Sequence, residues 1–448
     1  MELQGKTVMV VGAGMSGIAS CRYLLSQGAR VIIADSKKEE VLLQNKDLTA
    51  LLKRGVKLLA GHQLPENIDW DMVVVSPGVP LGIPLLKMSR DAVIPVVGEI
   101  ELAYREAKAP FLAITGTNGK TTTTSLVGHI LSSCGVDVLV GGNIGKPLVD
   151  AVADFHGRYI VAELSSFQLE SCVSFRAHAA AFLNLTPDHL DRHGDMAGYG
   201  AAKERIFANQ TSEDYAVLNW DDHYLRQAAS RIGGKILWFS LHDRPENGIY
   251  LDEGQLRYIK DGTEVFSFAA ADIFIQGKHN IANCMAAFLM TVITGLDLEK
   301  IAKAICSFRG VEHRLEYVTE KNGVIYVNDS KGTNPDSTFQ AIYAYDRPMI
   351  LLLGGRNKGS DLLPLMKLVK ERVKCAVLFG EAALQFKQAA DTIGYRSYVM
   401  ADNFDDAVER AKKMAVSGDV VVLSPACASW DSFRCFEERG DRFKELVK

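Results

Sequence analysis

Residues Pro110 to Thr124 read PFLAITGTNGKTTTT. Phe111 to Ile114 is a short apolar run that reads as a buried strand. Gly116-Thr117-Asn118-Gly119-Lys120-Thr121 follows, then a pattern that reads as a helix through His129 and Leu131. A strand, a glycine turn, Lys-Thr and a helix make a phosphate cradle. The glycines let backbone N–H groups converge on an anion, and the helix start adds a positive dipole end. Lys120 supplies a point charge for β/γ-phosphates, and the Thr121 hydroxyl can sit on Mg²⁺. The match to G-x-x-x-x-G-K-[ST] is incomplete, because the first glycine would fall at Ile114 and only two residues separate Gly116 from Gly119. The bland alternative is a glycine-rich βα turn with no ligand; Lys-Thr directly after the second glycine favours the phosphate.

On the N-terminal side, strand and helix signals alternate. Lys6–Val11 predicts a strand, Gly12-Ala13-Gly14-Met15-Ser16-Gly17 a turn, and the chain then reads as a helix to about Gln27. Arg30–Ala34, Met72–Ser76 and Ile94–Val97 predict further strands, a parallel α/β pattern. Gly12, Gly14 and Gly17 fit G-x-G-x-x-G, with Asp35 about 20 residues on, where a ribose hydroxyl would be held. On these residues alone a nicotinamide dinucleotide leads, another nucleotide diphosphate is the alternative, and a ligand-free turn is the bland reading.

On the C-terminal side, Arg158–Leu164 predicts a strand carrying Glu163 at its end, placed like the acid that holds Mg²⁺ in phosphate-loop proteins. A solvated strand end is the plain alternative. Ala179–Leu185 predicts the next strand and delivers Thr186-Pro187-Asp188-His189-Leu190-Asp191-Arg192-His193, dense in metal-capable and basic groups. Lys203 follows on a helix, where a lone lysine reads as a solvated surface residue. Tyr215–Asn219 predicts one more strand, residues 235 to 275 read as short strands, and Gly277 opens an apolar helix with Asn280 and Asn283 on one face. Val324–Val327, Met349–Leu353, Cys375–Phe379 and Asp419–Leu423 predict a third set of strands. Their end loops carry Asp329, Lys331, Thr333, Lys358 and Ser429, which can converge on one anion-attracting crevice outside the strand ends.

The chain has 448 residues, 48% apolar and 23% charged, so two or three globular domains are expected. The net charge of −4, from 50 basic and 54 acidic residues, gives no sign of a nucleic-acid partner. No apolar run reaches the roughly 18 residues of a membrane span, and Met1–Lys6 leads into a strand without a signal-peptide pattern. The eight cysteines form no C-x-x-C pair, so neither a zinc site nor a disulfide framework is suggested and a cytoplasmic setting is expected. The simplest use of an ATP site beside two further anion sites is a ligase. ATP phosphorylates a carboxylate on one domain, and an amine held by another attacks the acyl phosphate.

In order, GTNGKTT, ELSSFQLE, LTPDHLDRH, YGAAKERIF, GKHNIANC and FRGVEHRLE resemble the Mur ligase family, and the resemblance covers the whole chain. NDSKGTNP and LSPACASWDSFRCFEERGDRF look like the members that add D-glutamate to UDP-N-acetylmuramoyl-L-alanine in peptidoglycan precursor synthesis. The GAGMSG turn with Asp35 is then similar to that family's UDP pocket, which displaces the nicotinamide reading. The resemblance implies an α/β protein of three domains: a Rossmann-like substrate domain over 1–97, a central phosphate-loop ATPase domain with a parallel sheet over 98–308, and a Rossmann-like amino-acid domain over 309–448.

Carried over residue by residue, it implies that Gly116, Thr117, Asn118, Gly119, Lys120, Thr121 and Thr122 hold ATP, with Asn283, Arg314 and Asp329. Lys120, Glu163, His189 and Lys203 form the catalytic set. Thr121, Glu163, His189 and Lys203 serve two Mg²⁺ sites, with Lys203 carbamylated by CO₂; a carbamate is an anionic oxygen ligand where an ammonium cannot bind Mg²⁺. Lys331, Thr333, Lys358, Ser429 and Phe436 match the D-glutamate pocket, with Trp430 where the family pattern has a smaller apolar residue. Met15, Ser16, Asp35, Lys37 and Asn143 match contacts to the UDP substrate. A monomer working on small molecules is expected.

Overall fold

Valine, isoleucine and alanine runs with no polar alternation make strands covered on both faces, and such runs lie at the centre of each sheet. In a computed structural model, residues 3–61, 67–275, 277–357 and 359–448 are described, with the backbone alone of Asp191 and Asp336. The described strands form three sheets. The first is parallel, in the order Lys57–Ala60, Arg30–Asp35, Thr7–Val11, Met72–Val75, Val96–Gly98. The order reverses at Thr7–Val11, so the Gly12 turn leaves at a topological switch point, where ligands of open sheets bind.

The second sheet has nine strands. Phe111–Thr115 lies parallel between Tyr159–Glu163 and Ala179–Phe182, and Val138–Gly142 forms the edge beyond Tyr159–Glu163. On the other side follow Tyr215–Asn219, Lys235–Ser240 and Gly248–Asp252, then Gln255–Lys260 and Thr263–Ala269 as antiparallel additions. Gly116 and Glu163 therefore leave the carboxyl ends of adjacent strands. The third sheet runs Glu316–Lys321, Val324–Asn328, Val420–Ala426, Met349–Gly354, Val373–Phe379, Tyr398–Met400, parallel except for the first strand.

The chain divides into two compact units, Met1–Asp272 with Ile281–Cys306 and Ile273–Asn280 with Ser307–Lys448. The first holds two of the sheets, stapled through the helix Glu99–Glu106. Glu101 is fully buried and accepts backbone N–H bonds from Val173, Ser174 and Phe175 at 2.9 to 3.1 Å. Burial pushes its pKa up, but the Ser174 hydroxyl, the Val173 and Ser174 N–H groups and Arg105 outweigh it, and the group stays below the usual carboxylate range. The Ser171 carbonyl accepts the Gly98 N–H at 3.0 Å. Tyr23 donates to Glu106 at 2.9 Å, and Arg22 pairs with Asp150.

The expected central strands are all present. Four edge or end strands have no counterpart in the sequence reading: Lys57–Ala60, Val138–Gly142, Glu316–Lys321 and Tyr398–Met400. Each is short and half-exposed, and its apolar run is three residues at most, too short to mark a strand. Ala179–Phe182 stops three residues before the expected Leu185, freeing Asn184 to bond the phosphate loop.

Candidate active site

The site is built on the turn between Phe111–Thr115 and the helix Lys120–Ser133. Gly119, the helix N-cap, has φ +83°, and a Cβ there would stand 2.3 Å from Asn283 Oδ1. Only glycine meets both demands. The turn is held open by bonds to the next strand's end loop. Asn184 accepts from Asn118 N–H at 2.9 Å and donates to the Asn118 carbonyl at 3.1 Å, while Thr117 exchanges bonds with Thr186. Thr121 and Thr122, in the first helical turn, are buried.

Two lysine amino groups meet at one carbonyl. Lys120 Nζ donates to the Gly116 carbonyl at 2.9 Å and to that of Thr117 at 2.7 Å. Lys203 Nζ donates to the same Gly116 carbonyl at 2.8 Å. Lys203 corrects the surface expectation: it is 1% exposed, on the helix Met196–Glu204, with its Nζ 4.7 Å from the Tyr199 ring centre. Burial first, and then the Lys120 charge, push its pKa down to about 6, against the pull of Asp188 and Glu163. The neutral amine is thus the main form at pH 7.

Glu163 is also no solvated strand end. It is 2% exposed; Oε1 accepts from Asn143 Nδ2 at 2.8 Å, and Oε2 is buried without a hydrogen-bond partner. A buried, unpartnered carboxylate oxygen is costly unless a cation meets it. Asn143 follows the edge strand Val138–Gly142, and its own N–H donates to the Glu163 carbonyl at 2.8 Å. His189 has φ +52°, its N–H capped by Asp188 at 2.9 Å and its ring 4.9 Å from Phe167. Lys120, Glu163 and Lys203 thus stand together with Asp188, and half-exposed His189 joins them at the rim, its Nε2 3.4 Å from Asp188 Oδ2 and its ring against Phe167 and Tyr199.

In the first sheet, a Cβ on Gly17 would stand 1.8 Å from the Gly12 carbonyl, so helix and turn are in backbone contact. The Asp35 carboxylate accepts from the Ala13 and Lys37 N–H groups at 2.8 and 2.9 Å. It therefore shapes the turn itself. Met15 is exposed and Ser16 half-buried in the first helical turn.

In the second unit, Asp329 follows the strand Val324–Asn328; it is buried and accepts from Ser424 Oγ at 2.7 Å and Leu315 N–H at 3.2 Å. Burial raises its pKa to about 6, against Ser424 and Arg314. Arg314 Nε is buried without a hydrogen-bond partner. Lys331 Nζ lies 5.6 Å from the Phe436 ring centre, the Thr333 N–H bonds the Lys331 carbonyl, and Ser429 is buried beside exposed Trp430. Lys358 lies outside the described residues. Sequence reading overlooked Arg439, fully buried, which donates to Ser330 Oγ, the Ser330 carbonyl and the Cys427 carbonyl at 2.9 to 3.2 Å. Its signal was there: an arginine four residues before Phe443 and eight before Val447, on the apolar face of the helix Phe436–Val447.

Three family descriptions match the chain: Mur ligase MurD-like N-terminal domain over residues 6–98, Mur ligase middle domain over 114–291, and Mur ligase glutamate ligase domain over 313–427. The UDP-N-acetylmuramoylalanine–D-glutamate ligase of Pelotomaculum thermopropionicum is 44% identical over 444 residues, 99% of this chain and 97% of that one. The chain belongs to the Mur ligase family. The Clostridioides difficile ligase of the same name is also 44% identical, over 100% of this chain and 99% of its own. Two solved Mur ligases share the three-domain α/β fold. UDP-N-acetylmuramate–alanine ligase MurC from Thermotoga maritima has a TM-score of 0.60 at 19% identity over 99% of both chains. MurF ligase from the same organism, in complex with ADP, has a TM-score of 0.60 at 16% identity, covering 93% of this chain and 95% of that one. Among the described residues, no helix of this Mur ligase is long and apolar enough to cross a membrane.

Proposed function

We propose that this chain is an ATP-dependent ligase that joins D-glutamate to UDP-N-acetylmuramoyl-L-alanine in peptidoglycan precursor synthesis. Full-length likeness to ligases of that name supports the substrates. The observation that carries the chemistry is the meeting of Lys120 and Lys203 at the Gly116 carbonyl, beside a Glu163 oxygen with no partner. An oxygen of the substrate carboxylate attacks the γ-phosphorus, and ADP leaves. The D-glutamate amine then attacks the acyl phosphate, and phosphate departs with that oxygen. The turn Gly116–Gly119 and Thr122 seat the phosphates, and Lys120 neutralises charge spread over the transferring group. Asn283, Arg314 and Asp329 complete the ATP contacts. Lys331, Thr333, Lys358, Ser429 and Phe436 take D-glutamate, and Met15, Ser16, Asp35, Lys37 and Asn143 take the UDP substrate.

Thr121, Glu163 and His189 are the residues that would hold Mg²⁺, which would supply positive charge against the negative charge of the phosphates. Lys203 joins them as a carbamate. Its neutral amine is the form that adds to CO₂, with loss of one proton, and the product supplies an anionic oxygen where a second cation would repel the metal. We assign the substrate, ATPase and amino-acid roles to residues 1–97, 98–308 and 309–448, and take the enzyme to be a cytoplasmic monomer. With ¹⁸O in the carboxylate of UDP-N-acetylmuramoyl-L-alanine, the phosphate released in the presence of D-glutamate should carry the label. Unlabelled phosphate would mean simple ATP hydrolysis and refute the acyl-phosphate route.

A further inference from the structure

The loop after Ala179–Phe182 carries a second histidine that the ligase chemistry does not use. His193 ends the short helix Leu190–His193, and its side chain is 3% exposed. Its Nδ1 lies 3.2 Å from Glu170 Oε1, and its Nε2 lies 3.0 Å from Ser166 Oγ. With Nδ1 facing a carboxylate oxygen, the proton sits on Nδ1, and the bare Nε2 accepts from the Ser166 hydroxyl. The ring stacks on Phe167 at 5.5 Å and 17°, and packs on Tyr199 at 5.2 Å.

His193 and these partners come from three separate elements. Ser166, Phe167 and Glu170 continue from the strand that ends in Glu163. His193 itself lies four residues after His189. Tyr199 lies on the helix of Lys203, one turn before it. Glu170 also accepts from Arg192 Nη2 at 2.8 Å, and the same Nη2 donates to the Val79 carbonyl at 3.1 Å. Arg192 covers the other side of Phe167, its Cζ 4.9 Å from the ring centre. Phe167 in turn packs on His189.

We infer that His193 is a positioning residue: as the Nδ1–H tautomer shared between Glu170 and Ser166, it fixes the strand end of Glu163, the loop of His189 and the helix of Lys203 in one register. Arg192, through the shared Glu170, ties that register to the Val79 turn of the first sheet. The inference rests on the ligase reading of the site. Groups that orient ligating residues typically cost about 10- to 100-fold in activity when removed. A geometric role in the transition state lowers kcat and spares substrate affinity.

His193→Phe keeps the stacking and removes the Ser166 hydrogen bond and the Nδ1–Glu170 contact. It should lose about 10- to 100-fold in kcat, with the KM for D-glutamate within about twofold and a melting temperature close to that of the unaltered chain. His193→Asn puts an amide nitrogen near the Nδ1 position and should recover part of the loss. On the unaltered chain labelled with ¹⁵N-histidine, NMR should show His193 protonated at Nδ1 and bare at Nε2. A wild-type kcat in His193→Phe, or a proton on Nε2, overturns the inference. Should His193→Phe not fold, His193→Asn and the tautomer decide. An unaltered chain with no D-glutamate-dependent turnover overturns the ligase reading instead, and the tautomer still tests the placement.

Discussion

In water a lysine at pH 7 is protonated by a factor of roughly a thousand; buried Lys203, with its pKa near 6, is mostly neutral. Its folded pKa lies below the ordinary 10.5, so between these values the unfolded chain binds the extra proton. Burial of Lys203 therefore costs stability that grows as the pH falls through that window and levels off below about 6. In CO₂-free buffer, the melting temperature of Lys203→Met should gain on that of the parent between about pH 9 and about pH 6; a constant difference would refute the burial. Lys203→Ala should be inactive and partly rescued by acetate, whose carboxylate replaces the carbamate oxygens, whereas full activity without acetate would remove the group from the reaction. Lys120→Ala should lower kcat about a hundred- to a thousandfold, the scale for losing one donor to developing charge. Near-normal turnover would contradict its role. None of this environment is legible around Lys203 in YGAAKERIF, because burial of a helical lysine depends on what the fold packs against it. Only the family resemblance singled it out.

At the scale of elements, turns were more legible than edges. Glycines at Gly12, Gly17, Gly116 and Gly119 mark places where backbone must approach closely or take positive φ, and those demands show directly in sequence. Val138–Gly142 was not legible, yet it brings Asn143 to Glu163. It is a half-exposed edge strand, and its register comes from pairing with Tyr159–Glu163. Gly119→Ala tests the turn. The new methyl would take positive φ and press on Asn283 Oδ1, so stability should fall by about 1–3 kcal/mol and the KM for ATP should rise. A variant that melts and binds ATP like the parent would show that the turn tolerates a side chain there.

At the scale of the whole molecule, each unit is locked by a buried charge that sequence patterning would not place inside. Glu101 fastens the first unit through the loop Val173–Phe175. Arg439 joins the ends of Val324–Asn328 and Val420–Ala426 in the second, with burial lowering its pKa to about 10. Arg439→Met would remove the guanidinium donors to the Ser330 and Cys427 carbonyls, and should destabilise the fold by about 2–5 kcal/mol in thermal or denaturant unfolding. An unchanged transition would show that the arginine is dispensable there. Three sheets, their order along the chain and the phosphate loop follow from apolar runs and glycine turns; these internal fastenings do not, because they depend on contacts between residues far apart in sequence. The central claim is that the phosphate loop serves amide formation with one amino acid. It is tested most directly by ADP release with UDP-N-acetylmuramoyl-L-alanine and a panel of amino acids. D-glutamate should give the strongest stimulation, and only with that nucleotide substrate present. No stimulation by D-glutamate, or a stronger one by L-lysine or diaminopimelate, would contradict the assignment.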